Sequence, residues 1–307
     1  MIFHLPRIVI YWLILFGLTF ASATLRADTD IKPSFDCRKA ASDMEKTICS
    51  DAELARHDRE LGEVYKKIRN KMDREEKTAL KQDQLEWLDN RHDRCGTNPN
   101  GPRNQSVIDC LIKHYQQRTD VLSRLLLDDA TYYRESVKWK ELTLPGRKKW
   151  RKLANWSASC EGRRHLEILA GYGYGIKFLQ VDNQNYVMHV TCDLYAYESV
   201  YEVYLVRFTG QGIKTSLLKL PQLKLNEGNN TWKLVYDKRI TGGFYKDRKL
   251  LTMLHRYSGV GNCGYLLDYK ITIKPDSASA AINSARGNAD CSIDKDPDQW
   301  PEIKLKK

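Results

Sequence analysis

Past its N-terminal segment, this chain of 307 residues has no apolar run approaching the ~20 residues that a membrane-spanning helix needs, so its body is expected to be soluble. It has no internal repeat and no low-complexity tract. No serine stands in a Gly-x-Ser-x-Gly elbow. Gly171-Tyr172-Gly173-Tyr174-Gly175 has glycine at every second position, unlike the Gly-x-Gly-x-x-Gly of a dinucleotide loop, and reads as a bend between strands. His189 and His255 have no cysteine or carboxylate at metal-ligand spacing and read as sheet histidines. A nucleic-acid-binding motif is also missing. These absences leave no catalytic set, no metal site and no cofactor site in view. They favour a binding protein over an enzyme.

What is present begins with a leader. Arg7 precedes an apolar stretch from Ile8 to Phe20, and Ala21-Ser22-Ala23 supplies the small residues that a signal peptidase reads. Residues 1–23 are therefore expected to be a signal peptide cut after Ala23. Ala27 is the alternative site, with Leu25 poorly suited to the third position before it. An uncleaved anchor is the competing reading. No cysteine lies in the leader, so no lipid anchor is expected, and the mature chain is expected to be periplasmic or secreted.

Eight cysteines follow, four in each half: Cys37, Cys49, Cys95 and Cys110, then Cys160, Cys192, Cys263 and Cys291. An even number in an exported chain argues for disulfides over metal or thiol chemistry. The expected organisation is α+β in two domains: residues 28–130 helical, 131–157 a basic linker, and 158–307 rich in antiparallel strands. The net charge of +11 is unevenly spread. Residues 28–130 hold 19 Lys+Arg against 21 Asp+Glu, and residues 131–307 hold 29 against 18. A basic exported surface attracts anionic polymers, although a well-solvated face is the simpler account. The run Leu144-Pro145-Gly146-Arg147-Lys148-Lys149-Trp150-Arg151-Lys152 reads as part of a solvated linker with a Pro-Gly break.

In the first half, Ser42-x-x-Glu45 and Ser50-x-x-Glu53 fit capping boxes and mark two helix starts. Leu54, Leu61, Val64, Tyr65, Ile68 and Met72 fall at helical spacing, and the pattern resumes at Leu80, Gln84, Trp87, Leu88 and Arg91. The polar stretch Asp73 to Lys77 between them is a solvated turn of helix or a bend. Residues 96–102 break the chain, and a third helix is expected from about Gln105 to Leu127. Folding back at the break brings Cys95 near Cys110, and Cys37 and Cys49 flank the short first helix. Those two pairings are preferred among the three that four cysteines allow.

The segment Asp36-Cys37-Arg38-Lys39-Ala40, with Glu45, Ile48-Cys49, Leu54, Asp58, Leu61 and Tyr65, resembles the N-terminal domain of the LprI-type lysozyme inhibitors. So do Leu80, Gln84, Trp87, Arg91 and Cys95, then Cys110-Leu111 and Gln117-Arg118. The resemblance runs from about residue 35 to 126. It implies an exported helical bacterial domain whose namesake inhibits lysozyme. His57 departs from the family, which usually has an apolar residue there, and reads as a change at a surface edge.

Gln84, Trp87 and Arg91 share one helix face. They form either a recognition stripe or a hairpin core, with Trp87 packed inside and the polar pair satisfying buried groups. Arg118 is expected to pair with Asp58 or Glu86. The loop from Gly96 to Asn104, held at its base by the expected Cys95–Cys110 bridge, would lose little entropy on binding. Arg103 within it could pair with one of lysozyme's two cleft carboxyls, or the loop is an ordinary connection.

The second half has strand-like runs at Arg164–Leu169, Gly175–Val181, Tyr186–Cys192, Val200–Phe208, Thr231–Tyr236, Leu250–Tyr257 and Tyr265–Ile273. Residues 182–185 and 226–230 and the pair Gly242-Gly243 interrupt them as turns. A sandwich or partly closed barrel is expected. Val190 to Tyr197, Gly259 to Gly264, Asp290-Cys291 and Trp300-Pro301 resemble a secreted bacterial domain family of unknown function. That resemblance implies a Cys263–Cys291 bridge and leaves Cys160 for Cys192. The expected function is an envelope binding protein that is lysozyme-inhibitor-like and acts by steric occlusion. The alternative is a module that binds another protein or an anionic cell-wall polymer.

Overall fold

The computed structural model describes residues 32–97, 104–162, 166, 168–169, 174–195, 198–226, 231–245, 251–257, 262–274, 277–292 and 295–305. The leader at residues 1–23, the glycines at 171 and 173 and the loop residue Arg103 lie outside them. The helices are α1 (Asp43–Cys49), α2 (Ala52–Lys71), α3 (Arg74–Cys95), α4 (Gln105–Ser123), α5 (Asp129–Ser136) and α6 (Leu144–Ala154). No helix of the described residues is long and apolar enough to cross a membrane.

Side-chain caps set the helix starts. Ser42 and Glu45 form the reciprocal box expected at α1. At α2 the cap is Asp51 and not Ser50: its carboxylate accepts from the Leu54 amide at 2.8 Å. The stretch expected to continue or bend is a full stop and restart, because Asp73 and Glu76 form a second box that opens α3. Ile48, Leu54, Leu61 and Ile68 meet Leu80, Leu111, Tyr115 and Leu122 in one buried core. Helix α4 packs chiefly along α2, whereas α3 lies against α6. His57 is buried rather than at a surface edge, with Nδ1 3.1 Å from Glu60 and Nε2 3.2 Å from the Gln116 amide.

The basic segment is the main correction. Residues 131–157 are not a solvated linker: most of α5 and all of α6 lie within them. Pro145 stands in the first turn of α6, where its missing N–H costs nothing, and Thr143 caps the helix by accepting from the Gly146 amide at 3.2 Å. The Trp150 ring is fully buried between Tyr133 and Phe178, and its Nε1 donates to Ser136 Oγ at 3.0 Å. The basic residues of α6 face acids from both halves. Arg147 Nε lies 2.9 Å from Glu161 and Lys148 Nζ 2.8 Å from the same carboxylate. Lys149 pairs with Asp129 at 2.6 Å, and Lys152 with Asp73 at 2.5 Å and Glu76 at 2.9 Å. Arg147 is wholly buried and also donates to the carbonyls of Cys160 and Tyr174.

Ten strands follow among the described residues: β1 (Ile176–Gln180), β2 (Asn185–Leu194), β3 (Ser199–Thr209), β4 (Gly212–Leu217), β5 (Pro221–Asn226), β6 (Thr231–Tyr236), β7 (Arg239–Tyr245), β8 (Leu251–Arg256), β9 (Gly264–Ile273) and β10 (Ala278–Asn288). All pairings are antiparallel. The sheet order is β1-β2-β3-β7-β8-β9-β10, and β4 also pairs with β3. On one edge of β3, residues 204–209 pair with β4 and residues 199–202 with β7. The sheet is therefore branched and does not close into a barrel. Strands β5 and β6 form a separate hairpin. Leu166, Ile168 and Leu169 are helical, not extended, and Gly242-Gly243 lies inside β7 rather than at a turn. Gly242 has φ 145°, and a Cβ there would collide with the Leu254 carbonyl of β8.

Alternation along the strands builds two cores. Tyr186, Met188, Val190 and Cys192 of β2 face the helices with Tyr204, Val206 and Phe208 of β3, joining the helical core. Val187 and Val203 point the other way, into a second core with Leu223, Met253, Leu267 and Tyr269. The first core thus runs unbroken from α1 to β3, so the halves are not self-contained.

The disulfides are Cys37–Cys49, Cys95–Cys110, Cys160–Cys192 and Cys263–Cys291, matching the pairing read from the sequence.

Candidate functional site

Positions 84, 87 and 91 lie on one face of α3, against α4. Trp87 meets Tyr115 edge-on, with centroids 5.1 Å apart. The guanidinium groups of Arg91 and Arg118 lie 5.7 and 5.9 Å from the Trp87 ring centroid, so two cations share one indole. Arg118 does not pair with Asp58 or Glu86. Its Nη2 donates to Asp83 Oδ2 at 2.8 Å and to Gln84 Oε1 at 3.0 Å. Asp83 is buried and further accepts from Tyr174 Oη at 2.6 Å and the Leu144 amide at 3.3 Å. Burial, and then the Asp83 carboxylate, hold the Tyr174 phenol protonated far above its ordinary range.

Asp58 is engaged elsewhere: Tyr115 Oη donates to it at 2.8 Å, and Ser34 donates through its amide and hydroxyl at 2.8 and 2.6 Å. Arg91 Nη1 donates to the Tyr115 hydroxyl. The stripe therefore divides by role. Gln84 satisfies Arg118 inside the interface, while Trp87 and Arg91 are half-buried and reach its open side.

That open side is a cleft of about 740 Å³. One wall is α3 and α4, with Trp87, Arg91, Arg94 and Arg118; the other is residues 138–143 together with Tyr174. Arg124, at the end of α4, lies over Trp139 at 5.0 Å. Sequence reasoning missed this second wall. Trp139 falls in the expected linker, and Tyr174 meets Asp83 across ninety-one residues, a separation that leaves no local signal.

Potential metal ligands group at two places among the described residues: Cys95, Cys110 and His114, and Cys160, Cys192 and Glu202. In both, the sulfurs are joined in a disulfide, and thiolates are what a metal requires.

Residues 37–122 match the family model described as Lysozyme inhibitor LprI. Residues 37–122 are LprI-like. The match takes in α1 to α3 and nearly all of α4, including Gln84, Trp87, Arg91 and Arg118, and stops before α5 and the sheet. No curated protein and no solved structure matches the chain. The cleft is thus a composite: its first wall belongs to the LprI-like region and its second to the segment that follows.

Proposed function

We propose that the protein is an exported envelope protein whose LprI-like region inhibits a lysozyme by steric occlusion, without catalysis of its own. The observation that carries this reading is the match of residues 37–122 to the lysozyme inhibitor family. The architecture is compatible with it. Helices α3 and α4 are tied at one end by Cys95–Cys110, so a partner meets a surface that is already ordered. Arg91 and Arg94 stand near that end, and Arg103 belongs to the segment it closes. A lysozyme cleft works with two carboxyl groups, and guanidinium is the side chain best shaped to engage a carboxylate.

The test is inhibition of a panel of lysozyme types by the oxidised protein lacking its leader. The whole chain is needed, because α6 and the sheet complete the helical core. Stoichiometric inhibition of one type, weakened by Arg103→Ala or Arg91→Ala, is the expected result. No inhibition of any type by protein with all four disulfides confirmed by mass would remove the lysozyme reading. Unchanged inhibition by Arg103→Ala would discard only the plugging loop.

A further inference from the structure

The composite cleft carries a second inference, independent of the lysozyme reading. We propose that it binds a short acidic oligosaccharide, a ligand with both carboxylates and free hydroxyls. Its volume of about 740 Å³ suits a small ligand. Its cations outnumber the acids that pair with them. Arg118 and Lys138 are paired with Asp83 and Glu135. Arg91, Arg94, Arg124 and Lys140 line the same space and form no ion pair among the described residues.

Two of these cations are held in place. Arg91 lies against the Trp87 and Tyr115 rings and Arg124 against Trp139, so their guanidinium planes are fixed before a ligand arrives. Arg91 Nε is buried and has no acceptor.

The neutral and acidic groups narrow the ligand further. Asn90, Gln117 and Glu141 line the cleft, and their side chains make no hydrogen bond among the described residues. Glu86 is already an acceptor for the Tyr174 hydroxyl. Carboxylates set among the cations repel a bare polyanion and welcome hydroxyl donors. A sugar acid offers both groups spread over this length; an acidic peptide offers the charge without the hydroxyls, and inorganic phosphate is a single small centre that cannot span the cleft.

Calorimetric titration of the oxidised protein with trigalacturonate tests this, against neutral tri-N-acetylglucosamine, triglutamate and inorganic phosphate. Trigalacturonate should bind at least roughly tenfold more tightly than each of the other three, as expected when charge-assisted and hydroxyl contacts are both made. Arg124→Gln with Lys140→Gln, both outside the core, should weaken it about tenfold at an unchanged thermal midpoint. If that variant proves unstable, Arg94→Gln, at an exposed position, should still weaken binding. Equal binding of the neutral trisaccharide, equal binding of triglutamate or phosphate, full affinity in folded variants, or no binding of trigalacturonate would each overturn the proposal.

Discussion

The two ends of α3 use charge in opposite ways. At its N-terminal end Asp73, Glu75 and Glu76 meet Lys148, Arg151 and Lys152 of α6, and those cations are satisfied within the fold. At its C-terminal end Arg91 and Arg94 line a cleft and form no ion pair among the described residues. The more basic stretch of sequence is thus the structural one, and the sparser pair of arginines is available to a ligand. Net charge along a segment says little about exposure; the position of the opposing carboxylates decides it.

The seam end can be broken most sharply at Arg147. Arg147→Ala leaves Glu161 buried beside a lost partner and removes donors from three carbonyls, those of Cys160, Tyr174 and Thr191, so unfolding by denaturant should show a loss of about 3–5 kcal/mol. A loss below ~1 kcal/mol would show that the seam does not join the halves. At the cleft end, replacing Cys95 and Cys110 together by serine opens a loop of 15 residues and should cost about 3 kcal/mol. Stability equal to that of the parent would mean that helix packing alone sets this end.

Acid should weaken the seam. Burial opposes the charge on Glu161, but Arg147 and Lys148 outweigh it and hold the folded carboxyl below its ordinary 4.5. The Glu76 amide, then Lys152, likewise hold Asp73 below 3.8. A lowered folded pKa means stability that is present above the unfolded value and lost as pH falls through the folded one. Burial holds the His189 imidazole down at about 3, so the thermal midpoint should begin to fall below about pH 6.5 as the unfolded chain takes up that proton, and the seam carboxylates should steepen the fall below about 5. In Glu161→Gln the part of the decline below about pH 5 should be shallower; an identical decline there would assign the acid response to other groups. The smallest effect belongs to Lys152→Ala, whose partly exposed pairs are screened by solvent, at about 0.2–1 kcal/mol in a denaturant midpoint. A larger loss would mean that the exposed rim of the seam matters as much as its buried centre.

Much of the helical region could be read from residues whose signals are local. The Ser42 box, the apolar face of α2 and the shared face of Gln84, Trp87 and Arg91 depend on spacings of three or four. The restart at Asp73 was equally local, but its box was hidden in a polar run that also suits a bend. Helix α6 has no such local signal, because its identity rests on distant partners: Phe178 beneath Trp150, and Glu161 and Asp73 opposite its cations. The expected strands rich in β-branched and aromatic residues correspond to β1, β2, β3, β6, β8 and β9. Strand β10 begins Ala-Ser-Ala-Ala and β7 contains Gly242-Gly243, so neither has the composition that propensity recognises. Half of the cleft was hidden for the same reason as α6, since its second wall comes from residues near and beyond that helix.

The disulfides join the first cysteine to the second, the third to the fourth and so on along the chain, across 12, 15, 32 and 28 residues. In a chain delivered to an oxidising compartment N-terminus first, every second cysteine arrives with its native partner already waiting. Oxidation in order of arrival then yields the native set, with no wrong bridge to be undone. The covalent framework of the helical region can be complete while the first core still waits for β3 to close it.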